Sequence, residues 1–120
     1  MMTLNSLLLS SEAPKRLVDF YRKILALEPK WQEGEYSGFE VGAGTLVIGP
    51  HSKVRGPSPN PERVIFNFET REVESEFGRM RSQGAAVIAE PYHPGDERDH
   101  WIATLADPDG NYFQLISPMS

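Results

Sequence analysis

Imidazoles are the first place to look for chemistry, because a histidine can move a proton near neutral pH or ligate a metal through a ring nitrogen. The sequence holds three, His51, His93 and His100. His51 stands in a proline-rich stretch, and His93 and His100 flank Asp96, Glu97, Arg98 and Asp99. Their spacing repeats no ligand motif of the His-Glu-x-x-His kind, so solvated loop histidines are the ordinary reading. The absence of cysteine excludes disulfides, thiolate zinc sites and a cysteine nucleophile. No G-x-S-x-G elbow or P-loop occurs, and Gly42-Ala43-Gly44 reads as a hairpin turn between strands. What remains is a small set of polar groups on strand faces: Asn67 and Glu69 beside Ile65 in one segment, and Gln114 between Tyr112 and Ile116 in another.

The segment that carries Gln114 is Asp107-Pro108-Asp109-Gly110-Asn111-Tyr112-Phe113-Gln114-Leu115-Ile116-Ser117-Pro118. Pro108 fixes φ early in a turn, and Gly110 and Asn111 tolerate positive φ. A short strand follows, with Tyr112, Gln114 and Ile116 on one face and Phe113 and Leu115 on the other. The second polar segment, Arg63 to Glu69, divides the same way: Val64, Phe66 and Phe68 against Ile65, Asn67 and Glu69.

The elements that position these strands follow from periodicity. Leu4 to Ser10 reads as a strand. Ser10 to Pro14 supplies hydroxyl caps, an acid and a first-turn proline, and Leu17, Phe20, Tyr21, Ile24 and Leu25 follow at helical spacing. Lys30–Glu33, Tyr36–Val41 and Thr45–Ile48 read as three strands. Residues 50–62 carry four prolines and read as an extended linker without helix or regular sheet. A strand to Glu69, a helix over 71–83 capped by Thr70 and closed by Gly84, and strands at 86–92, 101–106 and 112–116 complete the chain. The order is strand, helix, three strands, given twice: module 1 over about 1–49, module 2 over about 63–120, one domain over 1–120. Phe20 corresponds to Phe77, and Gly44–Ile48 to Gly110–Gln114.

The Asp107–Leu115 turn and strand resemble the closing signature of the vicinal oxygen chelate superfamily, which holds glyoxalases, bleomycin-resistance proteins and extradiol dioxygenases. Residues 11–25, with Phe20-Tyr21 before a basic pair and a leucine, look like that family's first helix. The resemblance implies an α+β fold in which two βαβββ modules form a cup-shaped mixed sheet with the helices outside. It also implies metal positions on four strands. Carried over, these fall on Asn5 (or Ser6 if the register slips by one), Ile48, Ile65 and Gln114, where the family's enzymes commonly place His or Glu. Amides and aliphatics are poor first shells for iron, nickel, manganese or zinc, so neither a metal nor another cofactor is expected. Glu69, on the strand face of Ile65, is the one carboxylate that could restore such a site.

The expected function is therefore binding of a small organic ligand in a metal-free cup. Asn5, Ile48, Ile65, Asn67, Glu69, Tyr112, Gln114 and Trp101 are the candidate binding residues, as in the bleomycin-resistance branch. One alternative is a metal-dependent lyase, isomerase or dioxygenase of the same superfamily. Another enzyme form would use Glu69 as a buried general base. A third is a non-catalytic interaction module. The resemblance also implies a homodimer. A net charge of −5, from 17 acids against 12 bases, argues against a nucleic-acid partner. Leu7-Leu8-Leu9 is too short for a signal segment or a membrane span, which leaves the cytoplasm as the expected location.

Overall fold

Leu17, Val18, Phe20, Tyr21 and Ile24 share one stripe of a helix and need a sheet to bury them; all five are buried. The computed structural model describes residues 1–118. The chain divides into two units, Met1–Gly56 and Pro57 onward, and the division falls inside the proline-rich 50–62 stretch.

The first unit runs β1 (Ser6–Ser10), α1 (Pro14–Leu25), β2 (Trp31–Glu33), β3 (Tyr36–Val41) and β4 (Gly44–Gly49). Its sheet has the order β1-β4-β3-β2, with β1 parallel to β4 and the other pairs antiparallel. The second unit runs β5 (Ile65–Glu69), α2 (Val73–Ser82), β6 (Ala86–Tyr92), β7 (Ile102–Ala106) and β8 (Tyr112–Ile116). Its sheet repeats the pattern as β5-β8-β7-β6, with β5 parallel to β8. The fold is α+β, two βαβββ units with one topology. Among the described residues no helix is long and apolar enough to cross a membrane.

Helix α1 starts as its residues dictate, with Pro14 in the first turn, where a missing N–H costs nothing. The hydroxyl cap acts one step early: Ser11 Oγ accepts the Ala13 N–H at 3.0 Å, and the N-cap, Ala13, has no side-chain hydrogen bond. Thr70 behaves alike before α2, accepting the Glu72 N–H at 3.1 Å rather than capping the helix. Gly84 takes φ +106 just past α2, as a helix-stopping glycine should. The linker is not wholly extended: Pro61–Arg63 forms one 3-10 turn, since a proline at its start supplies helical φ without needing a donor.

Each sheet has one face against its own helix. In the first unit that face holds Phe39, Leu46 and Ile48, all buried, with the buried Ser37. In the second it holds Ala103, Leu105, Phe113 and Leu115, and the Phe113 ring stacks on Phe66 with centroids 6.0 Å apart. Val73, Phe77 and Met80 are the buried side of α2. The opposite face of each sheet, not covered by the unit's own helix, is called its open face below.

Candidate functional site

Strand β8 is aimed by the turn before it. The Asp107 carboxylate accepts the backbone N–H groups of Asp109 (2.9 Å) and Asn111 (3.0 Å) and the Asn111 side-chain amide (3.0 Å). Gly110 sits at φ +79, where a side chain would be strained, and donates to the Asp107 carbonyl at 2.9 Å. This closed turn fixes the phase of Tyr112–Ile116. Register with the neighbours then builds the open face of the second sheet in three rows. Ile65, Tyr112 and Ala106 form the first; Asn67, Gln114 and Thr104 the second; Glu69, Ile116 and Ile102 the third.

The five second-unit candidates Ile65, Asn67, Glu69, Tyr112 and Gln114 thus share one face. Within the middle row Gln114 Nε2 donates to Thr104 Oγ1 at 3.0 Å, and Thr104 is buried. Thr104 was not anticipated from sequence; its place opposite Gln114 emerges only from the β7–β8 register. Asn67 and Glu69 are exposed, so the buried carboxylate that general-base chemistry calls for is not formed by Glu69.

The other candidates land elsewhere. Ile48 is fully buried on the helix side of the first sheet, beside Ser37 and next to Leu46 and Phe39. Ser6 pairs with Thr45 as Ile65 pairs with Tyr112, so the structural counterpart of Gln114 is Val47 and the expected alignment was one residue out. A one-residue slip moves a side chain to the other face. The same correction applies to Asn5, which precedes β1 and lies one step out of phase with Ser6, Leu8 and the open face. Trp101 sits just before β7, opposite Ser117, on the phase of Ala103 rather than Thr104. Its ring centroid lies 4.0 Å from that of His93, and its backbone N–H donates to Ser117 Oγ at 2.8 Å. Ser117 Oγ also meets His100 Nδ1 at 2.9 Å, and His93 Nδ1 meets the His100 carbonyl at 3.0 Å. These two histidines close a loop; His51 is exposed and accepts the Lys53 N–H through Nδ1 at 3.1 Å.

The open face of the first sheet has a different character. Its middle row is Leu8, Val47, Gly38 and Trp31. The Trp31 ring lies across Gly38 so closely that a Cβ there would collide with it, and the Tyr36 ring lies across Gly49 in the same way. Tyr36 is further held by its hydroxyl, which donates to the Pro50 carbonyl at 3.0 Å. Both rings remain about two-fifths exposed, Trp31 at 41% and Tyr36 at 40%. The sequence signal was available: two glycines inside strands, each facing an aromatic on the neighbouring strand.

The metal reading can be tested on these residues. On the open faces the four strand positions hold Ser6, Val47, Ile65 and Gln114, and no three His, Cys, Asp or Glu side chains come together among the described residues. Within each unit the pair, a hydroxyl with an aliphatic or an aliphatic with an amide, does not compensate a divalent charge, so neither pair fits the metal. A cleft of about 440 Å³ does open in the first unit, but on the helix side, between Pro14, Lys15, Val18, Asp19, Arg22 and the β2–β3 hairpin. It holds none of the candidates, and Arg22 in its wall is paired with Asp19 at 2.8 Å.

The fold recurs in known structures. A glyoxalase-related enzyme from Fulvimarina pelagi superposes with a TM-score of 0.79 at 15% identity, over 98% of this chain and 89% of its own. A glyoxalase/bleomycin resistance protein/dioxygenase family enzyme from Burkholderia phytofirmans PsJN gives 0.78 at 18% identity, over 98% and 100%. Lactoylglutathione lyase from Agrobacterium tumefaciens gives 0.74 at 18%, over 96% and 92%. Identities this low speak for the fold alone. A search among curated proteins finds no match. The model of the glyoxalase-like domain matches residues 6–116, the span from the start of β1 to the end of β8, and the chain belongs to that family, within the vicinal oxygen chelate superfamily.

Proposed function

We propose that the protein binds a small, flat organic molecule on an open sheet face, without a metal ion. The observation that supports this reading is the pair of rings laid over glycines in the first unit. A glycine inside a strand weakens it, having no side chain to pack and more entropy to lose. Here two glycines give up that stability and let Trp31 and Tyr36 lie flat against the backbone, with their outer faces exposed. A flat, rigid aromatic surface stacks a planar ligand with little loss of side-chain freedom, and one stacked ring contributes about 1–3 kcal/mol. Packing for stability alone would explain rings over glycines, but it gives no reason to leave both rings exposed.

The test is a screen of planar heteroaromatic compounds read by thermal melt. A ligand at 100-fold its dissociation constant raises stability by about 2.7 kcal/mol. A hit should lose at least tenfold in affinity in Trp31→Leu and in Tyr36→Leu, two variants that keep an apolar side chain over each glycine. A hit whose affinity is unchanged in both variants would sink the reading.

A further inference from the structure

We infer that the middle row of the second sheet's open face, Asn67, Gln114 and Thr104, recognises a carboxamide or lactam group on a small molecule. The inference rests on the ligand-binding reading above and names the class of ligand.

The row is an ordered set of hydrogen-bonding groups. Gln114 spends one end of its amide on Thr104: Nε2 donates to Oγ1 at 3.0 Å. That bond pins the side chain, so its Oε1 acceptor is held in place without a partner among the described residues. Asn67 stands beside Gln114 in the parallel β5–β8 register, is exposed, and its side chain makes no hydrogen bond among the described residues. It therefore offers both a carbonyl oxygen and an N–H pair. A primary carboxamide or a lactam answers both neighbours at once: its N–H donates to Gln114 Oε1, and its C=O accepts from Asn67 Nδ2.

The flanking rows select among competitors. Tyr112 and Ile65 on one side and Ile116 and Ile102 on the other are half-buried, and they give a flat ring apolar surface next to its polar edge. A carboxylate fails on two counts. It has no proton for Gln114 Oε1, and it meets the negative charge of Glu69 one row along. A ketone has the acceptor without the donor. Unlike a metal site, this row asks for no charged ligand set, which is consistent with amide and hydroxyl groups standing where the donor set does not fit a divalent ion.

The experiment uses the full chain, labelled with ¹⁵N, and three probes of one shape: benzamide, benzoate and N,N-dimethylbenzamide. The side-chain amide signals of Asn67 and Gln114 report this inference; the indole N–H of Trp31 reports the stacking platform. Benzamide should shift both amide signals in a saturable titration. Benzoate and the dimethyl compound should bind about 3- to 10-fold more weakly for each hydrogen bond lost. Asn67→Leu and Gln114→Met should weaken benzamide by a similar factor. Equal affinity for all three probes would overturn the inference, and because that comparison needs only the wild-type chain, it does not depend on the variants folding. A moving Trp31 signal with static amides would also overturn it while leaving the platform reading intact. Moving amides with a static Trp31 would do the reverse. Silence at all three reporters would overturn both.

Discussion

Ala26 ends α1 in the left-handed conformation, φ 55 and ψ 43, the one non-glycine at positive φ among the described residues. Its Cβ carries a steric cost that glycine would not. Ala26→Gly should therefore raise stability by about 1 kcal/mol, net of the extra entropy glycine adds to the unfolded chain, as measured by urea denaturation. Asp107 is the opposite case, a side chain with too much to hold. Asp107→Ala leaves two backbone N–H groups and the Asn111 amide without their acceptor in a buried turn. The expected loss is about 2–4 kcal/mol in the same assay. Gly38→Val drives two methyl groups into the space of the Trp31 indole. Trp31 should swing into solvent and red-shift its emission, while Gly42→Val, at an open turn, should leave that emission unchanged.

At the scale of elements, the sequence was legible where polar residues mark the phase. In β5, Ile65-Phe66-Asn67-Phe68-Glu69 alternates, and in β8 a single glutamine among apolar neighbours does the same, so both open-face assignments agree with the observed register. The closing turn was legible because its signals are local: a proline, a glycine and an asparagine within five residues. In the first unit the phase was silent. Leu7-Leu8-Leu9 and Leu46-Val47-Ile48 are unbroken apolar runs, which suit either face, and aligning the modules by their glycines put Ile48 in the place of Val47. Thr104 was invisible for a different reason, since its role depends on a partner ten residues away in another strand. The register makes a sharp prediction. Ile48→Ala should cost about 2–4 kcal/mol, as a buried aliphatic truncation does, and Val47→Ala under half as much. Leu9→Glu, at a half-buried position on the helix side, should destabilise the chain clearly more than Leu8→Glu, which at a position 55% exposed should melt within a few degrees of wild type.

At the scale of the molecule, the absence of a fitting donor set makes metal response a global test. Melts with added Fe(II), Mn(II), Ni(II) or Zn(II) should superimpose on the melt of stripped protein. A rise of several degrees with one ion would mean that a first shell exists which the side chains described above do not provide. The paired topology has a further consequence, in the timing of biosynthesis. In each unit the first strand is an edge that, among the described residues, finds its only sheet neighbour in the last strand: β1 waits for β4, and β5 waits for β8. On a translating ribosome, β1 and α1 must therefore remain unsheeted until Gly49 has cleared the exit tunnel, and β5 and α2 until Ile116 has done so. Ser6–Ser10 is then a nascent segment with three consecutive leucines and no partner for most of the first unit's synthesis. Slow codons or a pause between β1 and β4 would lengthen that window.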